Sequence, residues 1–330
     1  MRFISRYTLA ICLYCSAETM AVEQGQPPAG KKVEPQPVIG LVLHGLDGQL
    51  YQSVEQTART YQQSANPPFR LNAGGALQEG DVDVQRAFLR QLLAGHVSGI
   101  VLAPADDQAL LPELLQARKQ GVCVVNIGSR LDTRLMGNKQ LVIPWVGPDN
   151  RAVAKEVAGL LASRLSPGDQ VAILAGRPGD TGSFERVTGF RHALKAAGLK
   201  VVAIEAAGWQ QDRAEKIVAG WLKKYPNLKG IVSAGDNMAV GALMAIEAAG
   251  RQNHILVTGF DNLMSARPWL RNGQLLATVE WFPEKQGIYG INKAMGNCKG
   301  NQYTPVALVT AENMDRYPSP GMSRKVRYFW

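Results

Sequence analysis

The stretch "VIGLVLHGLDGQLYQSVEQTA", from Val38 to Ala58, contains an apolar run, a short polar turn and a helix-like segment. Its unbroken apolar run predicts a strand that is covered on both faces, as in a parallel sheet. Gly45 and Gly48 make the turn suitable for either a phosphate-binding loop or one lip of a binding cleft. The rest of the chain decides between these two interpretations.

The alternation of apolar strands and amphipathic helices continues along the chain. The strand candidates are "VIGLVLHG", "FRLNAGG", "GIVLAPA", "VCVVNIG", "LVIPWVG", "QVAILAG", "KVVAIEAAG", "GIVSAG", "ILVTGF" and "LLATVEW". Between them, "VQRAFLRQLLAGH" has apolar residues near helical spacing, and Asp149 with Asn150 offers a cap for the helix that follows. This alternation predicts parallel sheets with helices on both faces.

Two segments of the chain resemble each other. One begins at Gly99 with "GIVLAPADD" and the other at Gly230 with "GIVSAGDN". Each combines a strand, an acidic residue just past its end, a helix and a second strand. The repetition indicates two similarly built α/β lobes, with a first crossing near Asp149 and Asn150.

The N-terminus has the pattern of an export signal. Residues 1–21 contain two arginines, a short apolar run and a Thr-Met-Ala ending, which predicts a secretory signal peptide cleaved after Ala21. A disordered or anchored N-terminus is the alternative. Residues 22–37 are polar and proline-rich, as in a flexible leader. We therefore expect a periplasmic protein, in which Cys123 and Cys298 could pair, although the sequence does not give their separation.

Charge and motifs exclude several classes of protein. The formal net charge of +9 comes from scattered residues, and an exported protein meets no genome, so we expect no nucleic-acid partner. The loop "GLDG" lacks the third glycine of a dinucleotide-binding loop, and Asp47 would repel a pyrophosphate. The four histidines lie on different segments, and no nucleophile elbow or metal-ligand spacing is present. We therefore expect no catalytic residues, no metal and no cofactor.

Four segments carry a resemblance to a known family. "FERVTGFRHAL", "GDNMAVGALMAIEAAG", "ILVTGFDN" and "NGQLLATVEWFPEKQGIYG" occur in this order. With them, residues 38–313 resemble the type I periplasmic binding proteins of the ribose and galactose kind. The resemblance implies an α/β fold of two doubly wound parallel-sheet lobes, joined by a three-segment hinge. The implied N-terminal lobe is 38–148 plus 282–305, the C-terminal lobe is 149–281 plus 306–314, and 315–330 form a tail.

The resemblance also implies a ligand site between the lobes. Asp261 matches a sugar-binding aspartate, and Arg130 matches a ligand-binding arginine whose usual acidic neighbour is replaced by Ser129. A tryptophan, Trp281, replaces the usual polar residue of the third crossing. These departures argue against simple ribose and for a less polar or differently shaped ligand. Polar and aromatic side chains at the carboxyl ends of strands add further candidates. The ligand-binding residues that we expect are Asp47, Tyr51, Arg130, Trp145, Asn150, Arg186, Trp209, Asp236, Asp261 and Trp281.

The partner and the ligand class stay open at this point. "VIPWVG" and the tail "SPGMSRKVRYFW" resemble segments of a periplasmic trimethylamine N-oxide sensor, which works with a membrane histidine kinase. An aromatic box of Tyr51, Trp145 and Trp281 would suit an amine, whereas Arg130, Asn150 and Asp261 suit a sugar or polyol. We favour a non-catalytic sugar-binding protein that presents its ligand to an ABC permease, with the sensor as the alternative.

Overall fold

The computed structural model describes residues 35–106, 108–138 and 140–322. The predicted signal peptide, most of the leader and the end of the tail, residues 323–330, lie outside the described residues. Within the described part of the chain, no helix combines the length and apolar character that a bilayer crossing requires.

The N-terminal lobe is built on a six-stranded sheet in which all neighbouring strands are parallel. Its strands are β1 (Val38–Leu43), β2 (Arg70–Gly75), β3 (Gly99–Leu102), β4 (Cys123–Ile127), β5 (Trp145–Gly147) and β11 (Gln302–Tyr303), in the order β11-β5-β4-β3-β1-β2.

The C-terminal lobe repeats this plan, with one antiparallel strand at the edge of its sheet. Its strands are β6 (Gln170–Ala175), β7 (Lys200–Ala206), β8 (Leu228–Ser233), β9 (Leu256–Thr258), β10 (Leu275–Glu280) and β12 (Ala307–Val309), in the order β12-β10-β9-β8-β6-β7.

Helices connect these strands in both lobes. They are α1 (Gln49–Ser64), α2 (Val82–Ala94), α3 (Leu111–Lys119), α4 (Thr133–Asn138), α5 (Asn150–Ala162), α6 (Thr181–Ala196), α7 (Gln211–Lys224), α8 (Asp236–Ala248), α9 (Arg267–Arg271) and α10 (Pro283–Met295). The predicted start of α5 is confirmed, because the Asp149 carboxylate accepts a hydrogen bond from the Ala152 amide at 3.0 Å.

The apolar runs are explained by burial on both faces of each sheet. Leu41 and Val42 are consecutive in β1, point to opposite faces and have no exposed surface. Leu41 belongs to a core beneath α1 and α10, and Val42 belongs to a second core beneath α2 and α3. The C-terminal lobe has one large core that includes Phe190 and Phe260.

The chain passes between the two sheets three times: between β5 and β6, between β10 and β11, and between β11 and β12. The predicted fold class, two doubly wound α/β lobes, is confirmed; the predicted domain boundaries stay predictions. In both sheets the strand order reverses beside the first strand of the lobe, β1 or β6. Ligands of such sheets bind where the order reverses, outside the carboxyl ends of the strands.

A disulfide joins Cys123 to Cys298, with 5.9 Å between their Cα atoms. Cys123 begins β4, and Cys298 follows α10, which the chain reaches only after it has completed most of the C-terminal lobe. The bond therefore fixes the returning segment to the N-terminal sheet, and it limits the freedom of the unfolded chain over a long loop.

Candidate ligand-binding site

A cavity of about 770 Å³ lies between the two lobes, within the size range of small-molecule sites. Its N-terminal wall comes from the loop after β1, the first turn of α1 and the loop after β4. Its C-terminal wall comes from the start of α6, the loop after β7 and residues 261–265 after β9. These are segments at the carboxyl ends of strands, where the topology predicts a ligand.

Seven of the ten predicted side chains lie on the cavity wall. They are Asp47, Tyr51, Asn150, Arg186, Trp209, Asp261 and Trp281. The loop that contains Gly45 and Gly48 also lies on this wall. The structure thus brings together residues from both lobes, and their role as ligand contacts stays a prediction.

Arg186 is fixed in the centre of the C-terminal wall. Its Nε donates to the Asn150 amide oxygen at 3.0 Å, and its Nη1 donates to the Ala234 carbonyl at 2.6 Å and to Asp261 Oδ1 at 3.2 Å. Its guanidinium carbon lies 3.6 Å from the centre of the Phe260 ring. Arg186 is thus both paired and oriented by the protein itself, so its geometry does not depend on a ligand.

Asp261 is presented by a turn of unusual backbone conformation. Asp261 and Asn262 have φ values of 109° and 52°, in a region that residues with side chains rarely occupy. Asn262 is fully buried and stabilises the turn. Its side-chain nitrogen donates to Glu280 Oε2 at 2.8 Å, and its backbone N–H donates to the Thr278 hydroxyl oxygen. Such conformations persist where surrounding contacts determine them, and they concentrate at functional sites.

Burial and pairing act in opposite directions on the Asp261 carboxyl. Burial raises the pKa of Asp261 to about 6, although the adjacent Arg186 guanidinium lowers it. Burial also raises the pKa of Glu280, in the strand that leads to the second crossing, to about 7. The protonation of Asp261 can therefore change in the mildly acidic range.

Trp281 supplies a hydrogen-bond donor that the protein does not use. The residue follows β10 and so lies at the second crossing, not at the third as predicted. It lies on the cavity wall and is 4% exposed. Its indole nitrogen, Nε1, is buried and has no hydrogen-bond partner among the described residues. An unpaired buried N–H costs about 1–3 kcal/mol, so an oxygen atom of a ligand at this position would be stabilising.

Two further aromatic side chains complete the wall. Trp209 has a left-handed backbone (φ 70°) and packs so closely on Gly176 that a Cβ there would lie 2.1 Å from its ring. The Tyr51 ring lies 4.6 Å from the His44 ring. Burial, followed by the charges of Glu79 and Asp180, raises the pKa of the Tyr51 hydroxyl. Tyr51 therefore stays neutral and offers a ring face together with a hydroxyl group.

The rim of the cavity contains polar residues that sequence reasoning missed. Glu79 lies 2.9 Å from His44 Nδ1, and Asp180 accepts a hydrogen bond from the Ser129 hydroxyl at 3.0 Å. Arg177 reaches across to the Ala105 carbonyl at 3.0 Å, so the two lobes contact each other directly. Glu79 and Asp180 lie in the loops after β2 and β6. The predicted strands end at Gly75 and Gly176, so a search a few residues beyond each of these strand ends would have found them.

Arg130 and Trp145, two of the predicted ligand-binding residues, are not among the residues that line the cavity. Trp145 is 1% exposed, and its Nε1 donates to the Gly128 carbonyl at 3.0 Å. The Arg130 guanidinium lies on the Trp145 ring, 4.0 Å from its centre. Trp145 thus packs inside the N-terminal lobe and does not line the cavity together with Tyr51 and Trp281.

Asp236, also a predicted ligand-binding residue, is fully buried and does not line the cavity. Its carboxylate accepts hydrogen bonds from the Leu263 amide at 2.8 Å and from the Thr278 hydroxyl at 2.8 Å. Burial raises the pKa of Asp236 well above its usual value. Asp236 thus fastens the turn that carries Asp261, and its neighbour Asn237 reaches the wall instead.

Comparisons with known proteins agree with this architecture. The family described as periplasmic binding protein domain matches residues 39–302. The chain is 36% identical over 284 residues to the D-ribose/D-allose-binding protein of Pseudomonas aeruginosa. The aligned region covers 83% of this chain and 89% of that protein.

Solved structures show the same similarity. A solute-binding protein of an ABC transporter from Burkholderia multivorans matches with a TM-score of 0.80 and 37% identity, covering 84% of this chain and all of that one. A second, from Actinobacillus succinogenes with bound D-allose, matches with a TM-score of 0.79 and 27% identity, covering 86% of this chain and all of that one. With two similar lobes around one cavity, the chain belongs to the periplasmic binding protein domain family.

Proposed function

We propose that the protein binds a small neutral sugar in the cavity between its lobes and delivers it to an ABC permease. The observation that carries this proposal is the buried, protein-oriented pair of Arg186 and Asp261 on the cavity wall. Similarity to a D-ribose/D-allose-binding protein and to a structure with bound D-allose supports a sugar of this class. We take D-allose as the first candidate, because the departures at Ser129 and Trp281 argue against simple ribose.

Each part of the wall offers a contact that a sugar can use. The ionised Asp261 carboxylate accepts hydrogen bonds from adjacent hydroxyl groups. Trp281 Nε1 donates to a sugar oxygen, and the rings of Tyr51 and Trp209 cover the apolar C–H surface of the ligand. These groups bind and orient a ligand, and no step of bond breaking is assigned to them. Like the relatives that it resembles, which are binding proteins, this protein is a binding protein and not an enzyme.

We also propose where the protein is located and which membrane partner it serves. The family implies a periplasmic location, and we propose that residues 1–21 direct the export. The two solved structures described above are solute-binding proteins of ABC transporters, which favours import over signalling to a histidine kinase. The resemblance of the tail to a trimethylamine N-oxide sensor stays a prediction, because residues 323–330 lie outside the described part of the chain.

A ligand screen tests the proposed function. We expect D-allose to raise the thermal unfolding midpoint of the mature chain and to bind in titration calorimetry, because a ligand stabilises the state that binds it. D-ribose should bind more weakly. Trimethylamine N-oxide serves as the competing ligand: its binding, with no response to D-allose, D-ribose or other sugars and polyols, would reject the sugar assignment.

The free donor of Trp281 predicts a selective loss of affinity. Trp281→Phe keeps a ring but removes the N–H, so D-allose should bind about tenfold more weakly, equivalent to about 1.4 kcal/mol. Trp269→Phe, which changes a tryptophan outside the cavity lining, is the matched control and should bind normally. Among deoxy analogues of D-allose, the one that lacks the oxygen bound by Trp281 should show equal affinity for Trp281→Phe and the unmutated protein. Unchanged D-allose affinity in Trp281→Phe would contradict this role.

The pKa of Asp261 predicts how binding depends on pH. The carboxylate is ionised above about pH 6 and accepts ligand hydroxyls best in that form, so affinity should rise with pH through this range. Between about pH 7.5 and about pH 5 we expect a loss of about tenfold, the limit for one proton with this pKa. Asp261→Asn should bind weakly at both pH values. If the variant kept the full pH dependence, the responsible group would be a different one, such as Glu280.

A further inference from the structure

The last described residues of the chain run from the C-terminal lobe to the N-terminal lobe. We propose that residues 317–321, here called the strap, form a fourth connection between the lobes and slow the release of ligand by resisting cleft opening. The strap follows β12 of the C-terminal sheet and ends against α1 and α10 of the N-terminal lobe. It contains the start of the tail motif "SPGM", which the proposed sugar site does not use.

The first half of the strap is bound to the C-terminal lobe. The Asn262 side-chain nitrogen donates to the carbonyls of Tyr317 at 3.2 Å and Pro318 at 3.1 Å. Arg267 donates to the Tyr317 carbonyl at 2.9 Å, and the Ser319 hydroxyl donates to the Asn262 carbonyl. Ser319 is only 2% exposed. This half of the strap therefore holds the residue that follows Asp261.

The second half of the strap is bound to the N-terminal lobe. The Gln49 side-chain nitrogen donates to the Pro320 carbonyl, and the Gly321 amide donates to Glu284 Oε1 at 3.2 Å. Glu284 lies in the first turn of α10, just after the chain has crossed from β10. Consecutive residues of the strap are thus attached to different lobes.

Gln49 connects the strap directly to the opposite wall of the cavity. While its nitrogen bonds to Pro320, its Oε1 accepts a hydrogen bond from the Met264 amide of the C-terminal lobe at 3.2 Å. The next residue, Leu50, packs against the cores of both lobes. The first turn of α1 is therefore a contact point for both lobes and for the strap.

This arrangement opposes opening without contact to the ligand. The attachments at Ser319 and Pro320 are adjacent in sequence, and a chain spans at most about 3.6 Å per residue. Separation of the lobes at this point must therefore break the bond between Gln49 and Met264 and also release one half of the strap. Because separation of the lobes at this point removes these bonds, they stabilise this arrangement of the lobes relative to an open one and slow dissociation.

Two truncated forms of the mature chain test this proposal. One ends after Ser319 and lacks Pro320 and Gly321; the other ends after Met322 and removes only residues outside the described part. We expect D-allose to dissociate about tenfold faster from the shorter form, measured by stopped-flow tryptophan fluorescence. Equal rates in the two forms would overturn the strap.

A pair of point variants gives the same answer if the shorter chain does not fold. Glu284→Ala removes the acceptor of the Gly321 amide, whereas Glu284→Gln keeps a side-chain oxygen and removes only the charge. Glu284 is not part of the cavity lining. We expect about threefold faster release from Glu284→Ala and a normal rate from Glu284→Gln. Equal acceleration in both variants, or none in either, would contradict the proposed bond.

The kinetic effect rests on the proposed sugar binding, whereas the seating of the strap does not. Hydrogen exchange of the ligand-free protein therefore separates the two claims. The amides of Met264 and Gly321 should be protected in the unmutated chain, and Gly321 should exchange faster in Glu284→Ala. Unprotected amides at both positions would overturn the strap, even if D-allose binds. Protected amides without any sugar binding would reject the proposed function alone.

Discussion

The ion pair between Arg186 and Asp261 is the interaction on which the site depends. Arg186 is 7% exposed and is bonded on three sides by the C-terminal lobe. Removal of one partner from a buried pair leaves an uncompensated charge, which costs about 3–5 kcal/mol. The neighbouring elements are therefore built around the pair: Asn150 begins α5, Phe260 lies beneath the guanidinium, and the left-handed turn presents the carboxylate. The C-terminal wall is consequently fixed before a ligand arrives.

The N-terminal wall completes the site and contacts the C-terminal lobe directly. Ser129 and Ala105 bond to Asp180 and Arg177 of the opposite lobe, and Trp281 lies beside a crossing of the chain with its indole N–H unpaired. A ligand that contacts both walls binds the closed form better, and only this difference in affinity shifts the equilibrium toward closure. The strap would add protein contacts to the same closed form, so retention of ligand would not depend on the ligand contacts alone.

Sequence reasoning found the fold because its main signals are local. Unbroken apolar runs such as that of β1 require burial on both faces, and Asp149 marks the start of α5. The short strands β11 and β12 went unpredicted, since two or three residues have no periodicity. The direction of individual side chains could not be predicted from the sequence. Trp145 begins β5 and Asp236 follows β8, yet the side chain of each points inward and forms hydrogen bonds within its own lobe. The Cys123–Cys298 bond joins distant segments that only the folded sheet brings together.

The most direct test of the central claim is a crystal structure of the mature protein with D-allose bound. The account predicts the sugar in the cavity between the lobes, with hydroxyl groups on the Asp261 carboxylate and an oxygen within hydrogen-bond distance of Trp281 Nε1. It also predicts that the Arg186–Asp261 pair stays intact beneath the ligand. A sugar bound outside this cavity, or one whose hydroxyl groups make no contact with Asp261, would contradict the account.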